Sequence, residues 1–356
     1  MPPNSIPIKL TPYSGSTTDG SDDETRLSTA LIESGAVVLR QLLELKDKGW
    51  KNESAERHFH NQRQTADNAS PNLNAIWFGR MKGVLREIDQ QLDCVPSYGA
   101  LEFLDLGCCP GGFSSHVLDK NHDATGYGIS LPVVDGGHEF TLEHYHRSRF
   151  ELMYQNLTYY QLSPSNLDDP RLQNLPSEIT SPTFDLVLLD GHQLRTQSSA
   201  LPWDKDRLLI SQLIISLEAV KEGGTIVAKL PLPHRPISAK ILHLFKILSS
   251  EVLAWKPKSM HGNRGTFYAV AKGIGRGPKG SRMSGLILEL RALWASLTFG
   301  GEEGLGRFIN PGDFDFLITT DDLIAHHLGW LTSLGTPLWQ VQEEALQCFF
   351  RKKNII

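Results

Sequence analysis

The stretch Leu104-Asp105-Leu106-Gly107-Cys108-Cys109-Pro110-Gly111-Gly112-Phe113 decides how the rest of the chain is read. A short apolar run over 101–106 leads into it and a helical pattern over 113–118 leads out, so a strand hands over to a helix here. Gly107 lets the chain turn sharply and lets a ligand approach the backbone, while Gly111 and Gly112 accept φ values that other residues resist. Amide groups left free at the start of the helix can meet a carboxylate. Asp105, at the strand end, can accept from an ammonium group. A cleft offering both suits the amino-acid moiety of a ligand. The dinucleotide fingerprint G-x-G-x-x-G is absent, and no G-K-[ST] follows to make a P-loop.

Outward from this turn, short apolar runs alternate with helical patterns. Runs over 125–129, 151–157 and 184–189 read as strands, the last almost wholly apolar and so suited to burial on both faces of a parallel sheet. A helix over 208–220 is expected to close at Gly223-Gly224, followed by a strand over 225–230, a helix over 238–250 and a strand pair over 252–256 and 266–271. The alternation predicts an α/β fold: a Rossmann-like, doubly wound sheet with helices on both faces and ligands outside the carboxyl ends of its strands. Residues 1–24 lack an apolar period and read as an unstructured leader. Residues 24–50 carry one or two amphipathic helices, 51–74 are polar, and 75–92 are helical again. The Gly-rich segment 274–282 reads as a linker before a helical tail. The expected organisation is therefore a leader and helical N-terminal extension (1–74), a central domain (75–273), the linker, and a helical C-terminal extension (283–356).

Composition narrows the function classes. The longest apolar runs fall well short of the ~20 residues a membrane span needs. The first residues hold no apolar h-region, so an intracellular protein, cytoplasmic or nuclear, is expected and no membrane partner. Four cysteines, two of them adjacent, make no disulfide framework and lack C-x-x-C spacing. His138, His144 and His146 have no supporting Cys or carboxylate spacing, so no metal is expected. The formal charge of -5 hides an asymmetry. Between Gly224 and Ser284 stand eleven basic residues and one acid, Glu251, so a phosphate backbone is the natural partner and RNA contact is expected through 224–284.

The motif D-L-G-x-x-P-G-G-F over Asp105–Phe113 resembles the S-adenosyl-L-methionine site of the FtsJ-like ribose 2′-O-methyltransferases. Further parts of the resemblance follow in order. Phe184-Asp185-Leu186-Val187-Leu188-Leu189-Asp190-Gly191 is similar to the family's fourth strand, and Gly223-Gly224-Thr225-Ile226-Val227-Ala228-Lys229-Leu230 to its fifth. The resemblance covers roughly 75–273. It implies S-adenosyl-L-methionine as cofactor, held by Asp105, Gly107, Pro110, Gly111, Gly112, Phe113 and Asp190. Ser130 and Asn156 stand where such enzymes place acids toward the ribose and the adenine amino group. It also implies a catalytic set in which Lys229 activates or stabilises a hydroxyl, Asp190 positions it and Lys82, or Arg86 in its place, supports it. The set departs from the family in one place: Thr266 stands where a glutamate is expected. The implied activity is methylation of a ribose 2′-hydroxyl of rRNA, tRNA or an mRNA cap. A small-molecule O-methyltransferase and a non-catalytic RNA-binding relative are the alternatives.

The residue chemistry is coherent with this. Methyl transfer from a sulfonium is an in-line displacement, so nucleophile and methyl carbon must be held close and aligned. An alcohol attacks poorly until its proton is removed or its developing charge is stabilised, and a lysine in a low-dielectric cleft can do either.

Overall fold

A computed structural model describes residues 18–50, 52, 57, 60, 71–165, 169–194, 197 and 200–355. Most of the leader and of the polar stretch before residue 71 lies outside the described residues. Helices α1 (Thr18–Glu33) and α2 (Val37–Trp50) come first, so helix begins inside the segment read as leader. Helix α3 (Pro71–Leu92) follows, then β1 (Leu101–Leu106), α4 (Gly112–Lys120), β2 (Ala124–Ser130), β3 (Phe150–Tyr154) and β4 (Phe184–Leu189). After these come α5 (Asp204–Ala219), β5 (Val220–Pro231), α6 (Pro236–Leu248), β6 (Glu251–Trp255), the single turn α7 (Lys258–His261) and β7 (Thr266–Lys272). The tail holds α8 (Met283–Phe299), α9 (Thr320–His326) and α10 (Leu328–Lys352).

The strands form one seven-stranded sheet in the order β3-β2-β1-β4-β5-β7-β6. All neighbours run parallel except β7, which is antiparallel to β5 and β6. Order reverses at β1, so the carboxyl ends of β1 and its neighbours open the crevice where an α/β sheet takes its ligand. The near-continuous apolar character of β4 is explained by this position: it lies between β1 and β5 and is buried on both faces.

Gly223-Gly224 does not close α5, as the pattern predicts. The helix ends at Ala219, and the glycine pair sits inside β5, where the register against β4 shifts. Gly223 has φ +84, and a Cβ there would fall 2.6 Å from the Arg276 guanidinium, so a bulge packed under an arginine needs this residue. The expected linker is likewise not loose. Ile274 is buried and exchanges backbone bonds with the bulge (Gly223 N to Ile274 O, 2.7 Å; Ile274 N to Gly224 O, 3.0 Å), and Gly275 donates to Leu248.

Two apolar layers flank the sheet. On one face, Val84, Leu85 and Ile88 of α3 and Val117 and Leu118 of α4 pack against Leu101, Phe103, Leu186, Leu188, Tyr268 and Val270. The other face is covered by α5 and α6 and continues without a break into both terminal extensions, through Leu27, Leu42, Trp294, Trp339 and Phe350. The Trp339 indole donates to His234 Nδ1 (3.1 Å), that of Trp294 to Ser211 (3.0 Å), and Arg291 makes a two-pronged ion pair with Glu218. The extensions are thus part of the core layer of this face. Among the described residues no helix is long and apolar enough to cross a membrane.

Candidate active site

Side-chain alternation along a strand decides which residues share the site. Phe103 and Leu101 face the α3–α4 layer, so Asp105 does too; Leu186 and Leu188 face it, so Asp190 follows. Tyr268 faces it from β7, directly opposite Lys229 in the antiparallel register. Four polar side chains therefore converge at the carboxyl edge of one face. Lys229 Nζ lies 3.3 Å from Asp190 Oδ1 and donates to the Asp190 carbonyl at 3.3 Å. The buried Tyr268 hydroxyl donates to the same Oδ1 at 2.7 Å, and its own ionisation is pushed up by burial and by the Asp190 charge.

The segment after β4 is anchored on both sides. Asp190 N and Gly191 N extend the ladder to the Leu106 carbonyl (3.2 and 3.0 Å), and the buried Gln212 amide of α5 brackets Gly191 with two 3.0 Å bonds. Gly107, at φ +85, is required by this approach, because a Cβ there would stand 2.4 Å from Gly191 Cα.

Asp105 is fully buried. Ser114 donates to its Oδ2 at 2.6 Å, its Oδ1 has no hydrogen-bond partner, and burial drives its pKa up to about 7. A buried carboxylate oxygen without a donor suits an incoming N–H group. Helix α4 has Gly111 as its N-cap with no side-chain cap hydrogen bond, and the Ser114 amide of its first turn bonds the Asp105 carboxylate.

Of the other expected cofactor residues, Gly107, Ser130 and Asn156 line a cleft together with Cys109, Gly191 and His192. Pro110, Gly111 and Gly112 do not line it. They shape the turn: the Pro110 carbonyl accepts from Thr141 N (2.9 Å), and Gly112 leaves room for the backbone of α3 at Phe78 and Lys82. Phe113 is a core side chain, its ring 5.8 Å from that of Tyr268. Ser130 is engaged by the turn, its hydroxyl accepting from Cys109 N at 3.3 Å. Asn156 departs from the expected acceptor role. Its Oδ1 already accepts from Thr158 N (3.0 Å) and the Thr158 hydroxyl (2.8 Å), so the amide NH2 is the group left to offer.

Lys82 is the clearest correction. Its backbone lies beside Gly112, but its ammonium pairs with Asp119 (2.7 Å) and Glu143 (2.8 Å). Asp119 is seven residues along α4 from Gly112, about 10 Å at the rise of a helix. The side chain runs away from the glycine turn, because two carboxylates on α4 and the loop beside it hold it there. The basic stretch 224–284 is also divided by the fold. Lys240 is buried against Asp315, Lys256 is buried under the carbonyls of Arg264 and Thr266, and Lys272 donates to Leu92. Burial pushes Lys256 down to about 7. Of the exposed basic residues, Arg235, Lys258 and Arg264 stand at the Lys229 end of the sheet, while Arg276, Lys279 and Arg282 stand at the opposite end.

Three site neighbours escape a reading by motif. His192 follows Asp190 by two residues and its Nδ1 lies 3.2 Å from Lys229 Nζ. Tyr268 stands two residues after Thr266, and only the β5–β7 register reveals it as the partner of Lys229. His261 is buried beside the Tyr268 ring, 5.9 Å between centroids, and burial lowers its pKa to about 4.

A model of the FtsJ-like methyltransferase family matches residues 85–274, more than half of the sequence. The chain belongs to this family. It is 28% identical over 180 residues to a Caenorhabditis briggsae protein named inactive cap-specific mRNA (nucleoside-2'-O-)-methyltransferase 1B, an alignment covering 48% of this chain and 21% of that one. It is 26% identical over 203 residues to cap-specific mRNA (nucleoside-2'-O-)-methyltransferase 1 of Caenorhabditis elegans, covering 54% and 22%. The chain therefore spans about a fifth of the length of these relatives. A solved structure from Plasmodium falciparum, described as that of a ribosomal RNA methyltransferase, aligns with 55% of this chain and 97% of its own at 18% identity and a TM-score of 0.38.

Proposed function

We propose that this FtsJ-like chain is an S-adenosyl-L-methionine-dependent O-methyltransferase that methylates a ribose 2′-hydroxyl of RNA. The observation that carries the reading is the Lys229–Asp190 contact of 3.3 Å at the carboxyl edge, on the same sheet face as the glycine turn. Bound at that turn, the cofactor supplies an electrophilic methyl group on a sulfonium. Asp105 and the uncapped start of α4 would hold its amino and carboxylate groups, and the cleft past Gly107, Ser130 and Asn156 would take the rest.

Lys229 acts at the substrate oxygen, where an amine in a half-closed site accepts the hydroxyl proton or stabilises the charge that develops on oxygen. Asp190 holds the amine through its side chain and its carbonyl, and Tyr268 fixes the carboxylate that does the holding. Thr266 brings no charge, so this pair works without the family's acid. The RNA names of the two curated relatives, together with Arg235, Lys258 and Arg264 at the Lys229 end of the sheet, favour a polyanionic substrate over a small metabolite. An intracellular location follows from such a substrate.

Two observations favour a second reading, a cofactor-fold protein that binds RNA without transfer: Lys82 is turned away and Thr266 replaces an acid. Incubation with methyl-labelled cofactor and total RNA, followed by nucleoside analysis, separates the two. A labelled 2′-O-methylnucleoside is expected; cofactor binding with no transfer supports the second reading, and labelling confined to a metabolite extract supports a small-molecule enzyme.

A further inference from the structure

Lys229 has a second side-chain neighbour that the family resemblance assigns no role. His192 lines the cleft with its Nδ1 turned inward, 3.2 Å from Lys229 Nζ and 3.4 Å from the Asp190 carbonyl. The segment that carries it is not free to choose another place, because Gln212 brackets Gly191 next door. An ammonium has three N–H donors. Among the described residues three acceptors stand around Lys229: Asp190 Oδ1, the Asp190 carbonyl and His192 Nδ1. Two come from one rigid residue at the floor of the site. The third comes from the ring that lines the cleft.

We propose that His192 is a positioning residue for Lys229: its Nδ1 aims the third N–H of the amine toward the mouth of the cleft, at the place a substrate hydroxyl takes over. This rests on the methyl-transfer reading above and names the residue that replaces part of the missing acid's function. The contact requires a neutral imidazole with its proton on Nε2. The groups facing the ring support the neutral form, since the Lys229 charge first and packing around the ring second lower its pKa to about 4, with His138 adding slightly and Asp190 opposing through its charge and its carbonyl; the tautomer is part of the proposal. An entering hydroxyl then exchanges for Nδ1 at the amine, and the freed ring, still anchored at Gly191, offers Nε2–H to the incoming sugar-phosphate.

The variants separate a positioning role from bulk. Asparagine places its Oδ1 near the position of histidine Nδ1, whereas glutamine reproduces Nε2. His192→Ala and His192→Gln should each lower kcat about ten- to a hundred-fold while cofactor Kd stays nearly constant. His192→Asn should restore most of kcat. Wild-type kcat in His192→Ala, or an Asn variant as slow as the Ala variant, overturns the proposal. A measurement on the full chain that needs no turnover is the imidazole nitrogen NMR titration. His192 should show the Nε2–H tautomer and resist protonation well below the ordinary histidine range, and Lys229→Met should bring its titration back up toward that range. A His192 titration indifferent to Lys229→Met overturns the contact. Absence of any methyl transfer alongside the expected titration leaves the contact standing and removes the methyltransferase reading instead.

Discussion

A buried carboxylate needs donors, and Asp190 finds them in a phenol and an amine that approach the same oxygen. Tyr268→Phe removes one of them without changing the packing volume. Because the bond is buried and its acceptor is charged, about 1.5–3 kcal/mol of stability should be lost, measured by denaturant unfolding. The rate of transfer should fall with it, since Asp190 then holds Lys229 less firmly. Asp105 gives a prediction in pH. Its folded-state pKa is raised to about 7, so the folded protein keeps a proton that the unfolded chain releases near its ordinary value. The contribution of this group to stability is therefore fullest at acid pH and is lost as pH rises through about 4 to about 7. Binding a cation beside it favours the carboxylate, so S-adenosyl-L-methionine should bind more tightly as pH rises through about 7, and Asp105→Asn should flatten that dependence in calorimetric titration. The resemblance singled out Asp105, Asp190 and Lys229 along the chain, and the structure brings them to one edge of the sheet because all three lie at or next to the carboxyl ends of neighbouring strands. His192, Tyr268 and Lys256 were not singled out, because their importance depends on which strands pair and in what register. The misplacement of Lys82 has the same origin: a lysine on an amphipathic helix looks the same whether it reaches the cleft or a carboxylate on the next helix.

At the scale of elements, the site is built where the ends of β1 and β4 come within contact of each other. Gly107→Ala would put a Cβ 2.4 Å from Gly191 Cα at a positive φ that alanine resists, so both strand ends must move apart. Cofactor binding should be lost while far-UV circular dichroism stays near native, since the strain is confined to one turn. The strand–helix alternation from β1 to β7 was readable because buried parallel strands are short and apolar and the helices between them are amphipathic. The Gly223-Gly224 pair misled the reading for a physical reason. Glycines end helices and also make bulges, and only the packing of Arg276 shows which applies here.

For the whole molecule, both terminal extensions share one apolar layer with the far face of the sheet, which no local pattern announces. Trp339 joins the tail to this layer, fully buried and bonded to His234. Trp339→Ala should cost about 3–5 kcal/mol and lower the melting of the whole described unit rather than release the tail alone, seen as coincident loss of near- and far-UV circular dichroism. Separate transitions would show that the tail folds apart from the sheet. The charge count over 224–284 was legible but its meaning was not, since Lys240, Lys256 and Lys272 spend their charges inside the fold.

The most direct test is methyl transfer to RNA by the wild-type chain and by Lys229→Ala, with cofactor binding measured on both. The wild type should form a 2′-O-methylnucleoside, and the variant should bind the cofactor as well but transfer at least about a hundred-fold more slowly. Equal rates in the two proteins would contradict the account.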